Sequence, residues 1–323
     1  MHFPFNLGSS YVTLDGSTTD RLSRPEKTFR TVEVLPPFEE ELPATLDRFV
    51  KAVTEYQTEL FGIRNRSPTV AYEIHRFNPQ KLRLQFSVPS MRLERKLRTH
   101  LNEQVSGAGF REGVDTIPLN DGDTVGVGTL TLRKKDVHPL QTTFEKPPTN
   151  SLVTALHRDA MRDSRILIQL LSTPMAGQPV KKRLWHRKAS KESQKLRSEK
   201  IGVLPWNDRD PTPRERNQAR HIEKKAGSPR FNTSIRILVI GARKYTASRI
   251  KEVSGGFNIF ADPETGQGFR TEVVRSLRRK PIIDSVKNIR DREPTRQFQL
   301  STEELSALLT IPDREQDNIE NAV

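Results

Sequence analysis

Apolar residues recur along this chain with two different periods, and the switches between them mark out its elements. FRTVEVLPP, residues 29 to 37, is a short strand stopped by two prolines. Leu46, Phe49, Val50, Val53 and Leu60 then share one face of a helix that Gly62 would end. Val70, Tyr72 and Ile74 point one way in a second strand, and an Asn78-Pro79 turn leads to a third. There Leu82, Leu84, Phe86 and Val88 alternate without a break, as a half-buried strand requires. Ser90 caps the next helix, its stripe of Leu93, Leu97, Leu101 and Val105 ends at Gly107, and FREGVDTIPL supplies a closing strand. Strand, helix, strand, strand, helix, strand is the ferredoxin-like split order.

VGVGTLTLRKK, 125 to 135, adds a strand that its terminal cations place at an edge. After the connector HPLQTTFEKPPTN comes a helix near 151 to 161 and an unbroken apolar run, RILIQLL, suited to a strand covered on both faces. Thr212-Pro213-Arg214-Glu215 opens a capped helix that Gly227 stops. In FNTSIRILVIGA, Phe231, Thr233, Ile235, Ile237 and Val239 face one way, and Leu238 and Ile240 the other. A helix bearing Ala247, Ile250, Val253, Phe257 and Phe260 follows, and GFRTEVV returns as a strand.

The class these patterns give is α+β: two ferredoxin-like-type α/β units with mainly antiparallel sheets, joined by basic and proline-containing loops. The expected organisation is an N-terminal arm at 1–28, a first unit at 29–140 and a second at 141–275. The second unit takes a basic insertion, 178–210, after its first strand. A basic linker at 276–299, a helix at 300–312 and a polar tail at 313–323 complete the chain.

A chain of 323 residues is long enough for two such units, and a hydrophobic share of 33% fits folded parts joined by polar ones. Charge adds more: 54 Lys and Arg against 40 Asp and Glu leave +14, which favours anionic partners. Residues 181 to 200 hold nine Lys or Arg against two Glu, so half the net charge sits in one segment. With no cysteine, disulfides, thiolate metal sites and cysteine nucleophiles are excluded. No run approaches the ~18 apolar residues of a membrane span, so any membrane association is expected to be peripheral.

Nucleotide hydrolysis fails on motifs, because neither Gly-x-x-x-x-Gly-Lys-Ser/Thr nor Gly-x-Gly-x-x-Gly occurs. GVGTL, 126 to 130, sits inside a strand pattern and has no lysine partner. The seven histidines include no pair at ligand spacing on one helix face, and no nucleophile elbow is present. The chain therefore reads as a non-enzyme without a cofactor or metal. What remains is the basic segment, where Lys181, Lys182, Arg183, Arg187 and Lys188 surround Trp185. Cations for phosphates beside a ring on which a base could stack is a nucleic-acid pattern, and a solvated loop with one tryptophan plugging onto the adjacent sheet is its bland alternative. Arg275, Arg278, Arg279 and Lys280 form a second cluster.

Taken in order, AYEIHRFNPQKLRLQFSVPS, RILIQLL, ARHIEKKAGSPRFNTSIRILVIGA, GGFNIF and LSTEELSALLTIP resemble the region ahead of the motor in conjugative-transfer, type IV secretion ATPases of the HerA/FtsK-like superfamily. The matching positions are Ile222, Glu223 and Lys225, then Phe231, Ile235 and Arg236, then Leu300, Ser301, Glu303, Glu304 and Leu305. The resemblance implies a mobile element of bacteria or archaea, non-specific DNA binding, and work in the cytoplasm or at the inner face of a membrane. In that family the Glu-Glu-Leu segment leads into a P-loop motor, whereas here only DREQDNIENAV follows Pro312, so the motor is expected either on a separate chain or to have been lost by truncation. The reading is an accessory module of a DNA-transfer ATPase; the rivals are a stand-alone nucleic-acid-binding protein and a structural interaction protein.

The terminal helix bears on that choice. Ser301 and Glu304 can close a capping box, and Leu305, Leu308 and Leu309 form an apolar face ending at Pro312. That face either docks on the motor or folds back onto this chain.

Overall fold

The computed structural model describes residues 8–37, 41–78, 81–157, 161, 163–199, 209–313 and 319. The start of the N-terminal arm, the expected turn at 79 and 80, residues 200–208 of the basic insertion and most of the polar tail lie outside the described residues.

A leading segment forms β1 (Val12–Thr13) and α1 (Gly16–Ser23). Next come β2 (Arg30–Leu35), α2 (Asp47–Val53), a small hairpin of β3 (Thr58–Glu59) and β4 (Arg64–Asn65), β5 (Val70–Asn78), β6 (Lys81–Val88), α3 (Met91–Gln104) and β7 (Gly109–Glu112). The second series is β8 (Thr124–Leu132), α4 (Thr149–Leu156), β9 (Arg165–Pro174), α5 (Pro179–Arg197), α6 (Pro213–Gly227), β10 (Arg230–Ile240), α7 (Thr246–Gly255) and β11 (Phe269–Val273). The chain closes with α8 (Lys280–Arg290), β12 (Phe298–Ser301) and α9 (Thr302–Leu308).

In space the first series runs β7-β2-β6-β5: fourth strand, first, third, second. The second runs β11-β8-β10-β9, the same order. This is the ferredoxin-like arrangement twice over, antiparallel throughout. The second strands of the two units, β5 and β9, pair from Val70↔Ser172 to Arg76↔Ile166, which fuses both into one sheet.

Four expectations change. The strand at 125–135 is neither an edge nor part of the first unit: β8 opens the second unit, with β10 on one side and β1 and β11 on the other. Its glycines serve packing, since a Cβ on Gly128 would run into the Ile250 side chain of α7. The basic insertion accordingly follows the second strand of its unit, and α5 is a helix. The helix expected to reach Leu60 stops at Val53, where the Thr54 hydroxyl bonds the Val50 carbonyl, and Leu60 lands on the β3–β4 turn. The linker at 276–299 contains α8, whose Ile282, Val286 and Ile289 make a buried stripe.

One face of the sheet is apolar from end to end, under α2, α3, α4, α7 and α9. A smaller cluster under α1 and α8 covers Val125, Val127, Leu167, Leu238 and Ile240 on the other face. The two faces of β10 divide as its alternation requires.

The helix α9 folds back. Leu305, Leu308 and Leu309 are 1%, 1% and 3% exposed, so they offer nothing to a partner. Leu305 and Leu309 line one small apolar space with Phe49, Val50 and Val53 of the first unit and Phe231 of the second, Leu308 is buried in the same core, and the Ser306 carbonyl accepts the Leu46 N–H at 3.1 Å. The capping box forms as its spacing requires. The surface that α9 needs is supplied by this chain, and it spans both units.

Candidate nucleic-acid interface

The insertion between β9 and β10 is an arm of two packed helices. Pro179 sits in the first turn of α5, and Thr212 and Glu215 close a capping box on α6. The half-buried Glu215 carboxyl, bonded by Arg209 and the Thr212 N–H, is drawn down to about 2. The helices meet through Trp185, Ala189 and Ile222, with Val137 beneath.

Trp185 is therefore a packing residue. It is 5% exposed, and the Arg230 guanidinium lies 3.7 Å from its ring centroid, covering the face a base would need. Arg230 also donates to His186 Nε2 at 3.1 Å. Burial, then the charges of Arg230 and Lys182, lower the pKa of His186, consistent with a neutral ring that accepts. The expected stacking platform is absent because its helical position turns it toward α6.

The cations around it behave differently. Lys181, Lys182, Arg183, Arg187 and Lys188 are all exposed. Lys188 reaches Asp136 at 3.4 Å, while the other four have no ion-pair partner among the described residues. Arg216, Arg220 and Lys224 of α6 add exposed charge to the same arm.

The second cluster is elsewhere. Arg279 is committed to the Thr13 carbonyl and the Asp15 carboxylate, both at 2.8 Å, and Lys280 begins α8. Ser276 pairs with Ser9 near β1, which lies beside Val125, the partner of Ile240. The arm joins the sheet at Arg230, the other end of the eleven-residue β10, roughly 33 Å away. The two clusters do not make one patch. Near the second, a hollow of about 500 Å³ is lined by Tyr11, Arg243, Lys244, Tyr245 and Arg249. Sequence reading missed it because Tyr11 and the turn after β10 come from remote segments, although Arg243-Lys244-Tyr245 was visible after the strongest strand.

Other cations are buried and paired. A row of directly opposed residues crosses the sheet: Arg236, Gln169, Glu73, Gln85, Glu33 and Arg111. Glu73 accepts from Gln169 at 2.7 Å, Gln85 at 2.8 Å and twice from Arg292 at 3.1 and 3.0 Å. Burial alone would raise its pKa, but the charge of Arg292, with His75, outweighs that and holds it well below the usual range. Burial lowers the pKa of Arg236 to about 9, still cationic at neutral pH, and it donates to the Gln169 oxygen and the Glu293 carbonyl.

Most of the residues that carry the resemblance meet in the interior, Glu223 being exposed and paired with Arg197. Lys225 and Glu304 form an ion pair at 2.8 Å, their side chains 1% and 0% exposed. Phe231 is the cross-strand partner of Leu300. These positions hold the framework together, and their side chains are committed to packing and pairing.

Among the described residues no group of three or more His, Cys, Asp or Glu could hold a metal ion. No helix among them is long and apolar enough to cross a membrane. No curated protein matches the chain. A family model described as "Domain of unknown function (DUF8128)" matches residues 6–323, and the chain belongs to that family.

Proposed function

Membership of the DUF8128 family assigns no activity, and we propose that this protein is a non-catalytic module that holds DNA by its phosphates without reading sequence. The observation that carries this is the row of exposed cations on α5, Lys181, Lys182, Arg183 and Arg187, which no carboxylate among the described residues neutralises. Buried cations such as Arg292 are paired, with Glu73 in its case, whereas these four side chains of α5 project into solvent without an ion-pair partner among the described residues. Phosphates are its natural ligand, and binding is sequence-independent because long flexible cations reach backbone and not base edges.

In the setting that the resemblance implies, the module is the accessory half of a DNA-transfer ATPase that works with a P-loop motor, in the cytoplasm. The stand-alone reading gains weight from α9, which completes its own core and leaves no open junction. Co-purification with a P-loop protein encoded beside it, at low salt, separates the two.

The DNA reading is tested by salt titration of duplex binding. Replacing Lys181, Lys182, Arg183 and Arg187 with Ser is expected to weaken binding and flatten the log K against log salt slope by about 0.9 for each phosphate that is no longer neutralised. An unchanged slope would overturn it.

A further inference from the structure

The β3–β4 hairpin ends in a turn that bulky residues disfavour. Leu60, Phe61 and Gly62 have φ of 51°, 56° and 85°, and only the last suits the left-handed region. The result is display: Phe61 is 107% exposed, Leu60 63% and Ile63 62%. The turn is not loose. Gln178 N donates to the Ile63 carbonyl at 3.2 Å, and Asn65 Nδ2 donates to the Pro174 carbonyl at 2.7 Å. Gly177 presses on the Gly62 carbonyl where a Cβ would not fit. Hairpin and α5 thus share one tip, to which Val180 and Leu184, 69% and 56% exposed and four residues apart, add a second apolar pair.

The rim of this tip is basic. Arg64, Lys181, Lys182 and Arg183 are exposed, and the nearest acid of the turn, Glu59, is tied to Arg66 at 2.7 Å. Backbone groups of the tip are bonded internally, Ile63 N to the Leu60 carbonyl and Arg66 N to that of Gln57.

We propose that this tip binds the surface of an anionic lipid bilayer, with Leu60, Phe61, Ile63, Val180 and Leu184 entering the boundary between headgroups and acyl chains. The cations lie against the headgroups. The aliphatic character decides against nucleic acid as the ligand of the apolar part: bases stack on flat rings, and among these five side chains only Phe61 has one. The backbone bonds made within the tip lower the cost of its entry into a weakly hydrated layer. Lys181, Lys182 and Arg183 then serve both partners, so lipid and DNA compete for the arm; the lipid proposal stands on the apolar residues and not on the DNA reading.

The experiment uses the full chain with sedimenting vesicles of phosphatidylglycerol and phosphatidylcholine, or phosphatidylcholine alone. Wild type is expected on the anionic vesicles. Leu60→Ser/Phe61→Ser/Ile63→Ser lowers that partition by about tenfold or more while the DNA salt slope stays as it was. Val180→Ser/Leu184→Ser gives a smaller loss, and Phe61→Trp gives a blue-shifted emission on anionic vesicles. All of these side chains are exposed, so the melting curves of the Ser variants should not move down. Wild type left in the supernatant, or a triple Ser variant that binds vesicles as well as wild type, would overturn the proposal. So would loss of DNA binding in that variant with vesicle binding intact, which assigns the tip to nucleic acid. Loss of the DNA signal in wild type with vesicle binding intact removes the DNA reading alone.

Discussion

The two units share a strand order and differ at one connection. In the first, β5 ends at Asn78 and β6 begins at Lys81, a hairpin with two residues between its strands. In the second, the equivalent connection holds residues 175–229 and the whole α5–α6 arm. A hairpin end at the surface tolerates such an insertion because both strands are fixed by their neighbours. The units also use charge differently from the arm. Glu73, Arg236 and Arg292 are buried and bonded to one another or to the backbone, and Glu304 takes the buried Lys225 at the base of α6, whereas α5 keeps Lys181, Lys182, Arg183 and Arg187 in solvent. Charge inside the body specifies how parts fit, whereas Lys181, Lys182, Arg183 and Arg187 of α5 are left for a ligand.

The most damaging way to break the body is through α9, because its leucines touch both units. Changing Leu305, Leu308 and Leu309 together to Ala should cost about 6 kcal/mol or more, at ~2–5 for each fully buried leucine less some shared relaxation. That approaches the entire stability of an ordinary domain. Urea melts followed by circular dichroism would show it in the isolated chain. A normal melt would restore the idea that α9 waits for a partner.

Arg292→Met is next. It strips Glu73 of its bidentate partner in a site where both side chains are almost fully covered, 4% and 2% exposed. Leaving a buried carboxylate uncompensated costs about 3–5 kcal/mol. Lys181→Met on the arm should stay within about 0.5 kcal/mol of wild type. Equal effects at the two positions would erase the distinction between body and arm.

Acid sharpens the same contrast. The folded-state pKa of Glu73 lies well below its ordinary 4.5, so its ionised form stabilises the fold above the unfolded value. That contribution is lost as pH falls through the folded pKa, with a slope of up to about 1.4 kcal/mol per pH unit between the two. Urea midpoints taken from neutral pH downward should therefore fall below pH 4.5. In Glu73→Gln this part of the slope should vanish, with a lower plateau because Arg292 loses its counter-charge.

Much of this was legible residue by residue. The alternation in β10 assigned Ile235, Ile237 and Val239 to one face and Leu238 and Ile240 to the other, and both clusters bear that out. Local chemistry also sufficed for the Ser301–Glu304 box. What the pattern could not give is register between remote strands. Glu73, Gln169 and Arg236 are single polar residues in three separate strands, with nothing to link them until β5 meets β9 and β9 meets β10. The stripe of α8 was obscured by the cations before and after it, and Leu60 kept helical phase past the point where Thr54 ended the helix. At the candidate interface the cations of α5 are exposed, as either reading of that segment required, and Trp185 is packed, nearer the plugging alternative, but against α6 and Arg230, which the pattern could not show.

The smallest effect tests the tip of the first unit against the arm it touches. Phe61 is fully solvent-exposed and sits at φ 56°, so its side chain adds backbone strain with no packing return in the free protein. Phe61→Gly removes left-handed strain of about 1–2 kcal/mol, and gives back about 0.5–1 kcal/mol through the greater freedom of glycine in the unfolded chain. The net expectation is a gain of roughly 0.5–1 kcal/mol in urea midpoint-derived stability. The same variant should lose affinity for anionic vesicles, because the side chain that enters them is gone. More stability with less binding is the signature of a turn held in an unfavourable conformation for the sake of what it displays. A variant no more stable than wild type would mean that the hairpin carries Phe61 without strain, and exposure alone would then have to explain the tip.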